Sequence, residues 1–115
     1  MNLLKEQFTD NQELRFRKFI RSLPSCLSGS RQDVVCAHVR RVSEGAGTGY
    51  KPKLFAVPLT DKEHRYQHQH GELACIEKFL IPAIGLNELD ARSAKAFFNN
   101  IAMRMREKFL TLEAK

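Results

Sequence analysis

The sequence predicts a small α+β domain in which a strand–loop–strand–helix core is flanked by helical segments at both ends. Three observations carry this expectation. Apolar residues recur at helical spacing near both ends of the chain, two short apolar runs lie between them, and a glycine-rich stretch separates those runs. A chain of 115 residues and 13.2 kDa supports one compact core. The expected division is a helical segment 1–24, a core of about 25–80 and a helical segment 81–115.

In the first segment Asp10 and Glu13 have the spacing of a capping box, and Phe16, Phe19, Ile20 and Leu23 then return at helical intervals. Arg15, Arg17, Lys18 and Arg21 occupy the other faces. Pro24 ends the helix, and residues 25–32 read as a turn. Val34 to Val39 forms the first strand. Residues 43–49 carry three glycines in five positions (Gly45, Gly47, Gly49), a loop that lets a ligand approach the main chain. Leu54 to Leu59 forms the second strand, with Pro58 confined to an end or an edge. Thr60 or Asp61 then caps a polar helix over residues 62–70, with Glu63 or His64 at its third position. Leu73, Ile76, Phe79 and Leu80 continue an apolar stripe as far as Pro82. Asn87 or Asp90 starts a last helix, whose Ala94, Phe97, Phe98, Ile101, Met105 and Phe109 share one side. That side is expected to pack on the core or on a second subunit, which makes a homodimer one expectation. Arg92, Lys95, Arg104, Arg106 and Lys108 are expected on a solvated face able to meet phosphate.

Composition narrows the function classes. Hydrophobic residues make up 43% and charged residues 28%, which suits a folded domain rather than a disordered tail. No run of 18 apolar residues exists, so no membrane span is expected, and the polar N-terminus offers no signal-peptide core. The formal charge of +6 is uneven: residues 1–58 hold ten basic and five acidic groups, residues 59–115 nine and eight. A basic half suits a polyanionic partner, because neutralising phosphates releases counterions. Cys26, Cys36 and Cys75 form no C-x-x-C pair, so neither a disulfide framework nor a zinc ribbon is expected. A cytoplasmic location fits that cysteine usage.

The four histidines all fall between positions 38 and 70. His64 and His68 lie four apart on the expected helix, so both imidazoles project from one face and can chelate a divalent ion. Pairs at this spacing also occur on exposed helices by chance. His38 sits in a strand of mostly apolar residues, where it is either a hydrogen-bonded core group or a general base. Together they compose a hydrolytic site: His38 activates water, an ion on His64 and His68 stabilises phosphate charge, and Arg40, Arg41 and Lys51 hold the backbone. Lys53, Arg65 and His70 are further candidates for nucleic-acid contacts.

Several residues occur in an order that matches a known family. These are Ala37-His38-Val39-Arg40, Gly47-Thr48-Gly49-Tyr50-Lys51-Pro52, Val57-Pro58-Leu59, His64-x-x-x-His68 and Gly71-Glu72. Over about residues 24–75 the chain resembles the HNH (ββα-metal finger) nucleases of phages and prophages, most nearly the RecA-dependent recombination-enhancement nucleases. The resemblance implies a ββα-metal finger flanked by helices and a metal-dependent DNA endonuclease. It also implies His38 as general base and His64 and His68 as ligands of one divalent ion (Mg²⁺, Mn²⁺ or Zn²⁺), with DNA and a RecA-like recombinase filament as partners in a bacterial host. The chain departs from the family pattern at Ala37, where many members carry Asp or His. It departs again at Thr60-Asp61-Lys62, where Cys or His is common, and at Lys53-Leu54-Phe55, where an Asn or Asp supports the base. A third ligand would then be water, phosphate, Asp61, Glu63 or His70. The alternative expectation is an inactive ββα DNA-binding module acting in phage recombination. A zinc-stabilised interaction domain is disfavoured by the charge and by the few thiols.

Replacing Arg40 or Lys51 by alanine is expected to weaken DNA binding for all sequences alike and to lower the slope of log K against log[salt] by about 0.7–0.9. Binding titrations at several salt concentrations check this, and an unchanged slope would exclude phosphate contacts there.

Overall fold

A computed structural model describes residues 8–39, 52–80 and 91–115. Within them the chain is a small compact α+β domain with three helices and one two-stranded antiparallel sheet. The elements are α1 (Asp10–Arg21), β1 (Val34–His38), β2 (Ala56–Thr60), α2 (Asp61–Phe79) and α3 (Ala91–Glu113). The glycine-rich stretch 43–49, Pro82 and the two candidate starts of the last helix lie outside the described residues.

The start of α1 differs from expectation by one residue. Thr9, not Asp10, is the N-cap: its hydroxyl accepts from the Gln12 N–H, and the Gln12 side chain accepts from the Thr9 N–H. Thr9 and Gln12 form the reciprocal box just as well, and the shift frees Glu13. Glu13 then falls on the same helical face as Phe16 and Ile20, and all three are buried. At the start of α2 the box is Thr60 with Glu63. This helix is kinked at Gly71, whose φ of 92° and ψ of 170° favour a residue without a Cβ.

The strands pair in register from Val34 opposite Thr60 to His38 opposite Ala56. Pro58 sits opposite Cys36 in mid-strand rather than at an end. Its carbonyl accepts from the Cys26 N–H on the outer side of β2, so its ring nitrogen also faces away from β1 and no ladder bond is lost. Alternation then divides the core. Ala37, Val39, Phe55, Val57 and Leu59 join Cys75, Ile76, Ala94, Phe98 and Ala102 on the side of α2 and α3. Leu54, Ala56 and the half-buried Cys36 pack with Phe16, Ile20 and Phe109 on the side of α1. Both sheet faces are covered, which is why the strands read as apolar runs rather than as alternating ones.

The expected stripe on α3 is largely met: Ala94, Phe98 and Phe109 are buried, while Phe97, Ile101 and Met105 are half-buried. The expected solvated face is wrong for Arg106, which is only 7% exposed. Its Nε donates to the Leu54 carbonyl at 2.9 Å and its Nη2 to the Lys53 carbonyl at 2.7 Å. The guanidinium lies 5.2 Å from the ring centres of both Phe8 and Phe55. An arginine can be buried where it finds carbonyls, and these precede β2 at Leu54, a left-handed residue with φ of 55°.

Arg106→Ala is therefore expected to lower the free energy of unfolding by about 2–4 kcal/mol, through loss of charge-assisted bonds and of packing. Arg104→Ala, at an exposed position, should change it by less than about 0.5 kcal/mol. Urea denaturation of the two variants distinguishes these effects.

Candidate functional site

His38 ends β1, on the α1 side of the sheet, and remains about a quarter exposed. Its Nε2 lies 2.8 Å from Oε1 of Glu13, whose side chain is only 8% exposed. The second carboxyl oxygen of Glu13 accepts from the Leu54 N–H at 3.3 Å. With Nε2 engaged, Nδ1 is the ring nitrogen left to take up a proton.

Two clefts meet at this imidazole. One, of about 280 Å³, is lined by His38, Val39, Gln67, His68, Gly71, Glu72 and Lys95. Lys95 and Glu72 approach to 3.5 Å there, a loose pair that leaves the ammonium half-exposed. The other, of about 550 Å³, is lined by His38, Glu13, Arg17, Pro52, Lys53, Asp10 and Leu14. Lys53 binds Asp10 at 2.6 Å, and this ammonium holds the Asp10 carboxyl below its ordinary range.

His64 and His68 project from one face of the first half of α2, with Nε2 atoms 3.0 Å apart and ring centres 4.5 Å apart. The donor set fits a divalent ion in part: two bonds of about 2.0–2.1 Å meeting near a right angle span about this distance. Among the described residues, however, no three His, Cys, Asp or Glu side chains are grouped to hold a metal ion. The expected third ligands are engaged elsewhere. Glu63 is 2% exposed and its Oε1 accepts from Ser25 Oγ at 2.6 Å and from the Thr60 N–H at 2.8 Å. Asp61 pairs with Arg65 at 2.8 Å, and the His70 ring lies 4.4 Å from that of Tyr66.

The structure thus brings His38 and His68 to one cleft and Lys53 to the adjoining one. Arg65 lines a different cleft with Asp33, Asp61 and Tyr66, and His70 lines neither of the two beside His38. Arg40, Arg41 and Lys51 lie outside the described residues. Sequence reasoning missed Glu13, which it assigned to a cap. The available signal was a carboxylate in line with Phe16 and Ile20, since such a group on an apolar stripe needs a buried partner. It also gave no site role to Gln67 and did not place Lys95 beside His38. No family model matches this chain, and no curated protein or solved structure matches it.

The cysteines take no part in either cleft. Burial pushes the thiols of Cys26, Cys36 and Cys75 each up to about 12, helped by Glu63 at Cys26 and Cys75 and by Glu13 at Cys36. Native protein at about pH 8 is expected to react with a thiol reagent at least tenfold more slowly than the urea-unfolded chain, because the thiolate is the reacting form. A stopped-flow thiol assay checks this, and rapid native labelling would contradict it.

Proposed function

We propose that this chain is a metal-dependent DNA endonuclease in which His38 acts as general base. The observation that carries the reading is the convergence of His38 and His68 on one cleft, with the His38 ring held by a buried carboxylate. The order of two antiparallel strands followed directly by a helix bearing His64 and His68 also supports the resemblance to HNH nucleases.

In this reading His38 removes a proton from the attacking water through Nδ1. Lys95 and Lys53 each line one of the two clefts that His38 borders and would neutralise phosphates next to the scissile bond. His64 and His68 would hold one divalent ion, which when bound supplies positive charge at the phosphoryl oxygens. A non-catalytic DNA-binding module in phage recombination is the second reading. It is favoured by the incomplete donor set among the described residues.

The test is nicking of supercoiled plasmid and of single-stranded circles with Mg²⁺, Mn²⁺ or Zn²⁺, with and without a RecA-like filament. His38→Ala should lower cleavage by on the order of 10²–10⁴-fold while retaining DNA affinity and metal content. His68→Ala should lower metal occupancy and cleavage together. A folded wild type that binds DNA in a salt-sensitive way but cuts under none of these conditions would transfer the assignment to the binding module.

A further inference from the structure

The buried carboxylate of Glu13 has a definite relation to the imidazole it touches. It belongs to α1, outside the strand–strand–helix unit, and 25 residues separate it from His38. A glutamate 6% exposed is expensive to bury, and Glu13 has two partners that account for its place. Oε2 accepts from the Leu54 N–H, and Oε1 faces His38 Nε2. The backbone partner cannot change role, because an amide N–H only donates. The imidazole can, because either ring nitrogen can carry the proton.

We infer that Glu13 is a positioning residue for His38, fixing its ring orientation and holding it as the Nε2–H tautomer with Nδ1 bare toward the reacting water. A carboxylate is an acceptor at both oxygens, so the side facing the imidazole demands an N–H from Nε2. The turn that aims the Leu54 N–H at Oε2 is itself bound by Arg106 through the Lys53 and Leu54 carbonyls. The inference rests on the assignment of His38 as general base, but tautomer control is measurable without cleavage.

Glu13→Gln is the decisive substitution, because it is nearly isosteric and supplies one acceptor and one donor. The fixed Leu54 N–H takes the amide oxygen, so the amide NH₂ faces Nε2 and drives the proton to Nδ1. Nitrogen-15 NMR of imidazole-labelled protein, with His38→Ala used for assignment, reads the tautomer directly. The wild type should show protonated Nε2 and bare Nδ1, and Glu13→Gln the reverse. Cleavage by Glu13→Gln should fall by on the order of 10²–10⁴-fold in kcat at little changed KM and metal affinity, since the nitrogen facing the water then carries the proton and cannot accept another. Glu13→Ala, which removes the bias without reversing it, should lose roughly 10–100-fold and show both tautomers.

A wild type with Nδ1 protonated, or an unchanged tautomer in Glu13→Gln, would overturn the inference even if cleavage and its loss in His38→Ala stand. Reversal of the tautomer in a protein that cuts no DNA would instead overturn the nuclease reading, and with it the catalytic part of this role, while retaining the control of the imidazole by Glu13. A thermal melt of each variant identifies unfolding, and the isosteric glutamine variant keeps the test valid if the alanine variant does not fold.

Discussion

The guanidinium of Arg106 is the interaction on which the arrangement around His38 depends. It comes from α3, packs against the rings of Phe8 and Phe55, and grips two successive carbonyls just before β2. Leu54 is left-handed at that point, which costs an L-residue about 1–2 kcal/mol. Charge-assisted hydrogen bonds of about 1.5–3 kcal/mol each are sufficient to offset that cost. The turn so held buries the Leu54 side chain against α1 and directs its N–H to Glu13. One buried cation therefore links the last helix, the second strand and the first helix.

The sheet itself is minimal, and two strands alone would be marginal in water. Stability comes from covering both faces: α2 and α3 on one, α1 and the end of α3 on the other. His38 sits at the end of β1, where these two packings meet, so its ring reaches a buried carboxylate while staying accessible to two clefts. The kink at Gly71 serves the same placement. It ends the polar half of α2, which presents His64 and His68, and redirects the chain so that Cys75 and Ile76 enter the core.

Helix caps show how a small local difference acts at a distance. Both Thr9–Gln12 and Asp10–Glu13 have the spacing of a box, and local sequence does not separate them. Tertiary structure does. Glu13 gains a backbone N–H and an imidazole by turning inward, whereas Gln12 loses nothing at an exposed cap. At α2 the same contest has another outcome: Glu63 is both the cap partner and the acceptor for the buried Ser25 hydroxyl.

Periodicity and punctuation by themselves determined the α+β class, the order of the described elements and most of the α3 stripe, because these follow from side-chain spacing along a local backbone. The shared face of His64 and His68 was legible for the same reason, being four residues apart on a helix. Only the tertiary structure decided that Glu13 meets His38, that Arg106 is buried, and that Glu72 and Lys95 border the same cleft as His38 and His68. Each of these joins groups from separate elements. An isolated carboxylate or guanidinium reads as solvated in sequence, because the partner that makes its burial affordable arrives only when helices from both ends of the chain pack on one sheet.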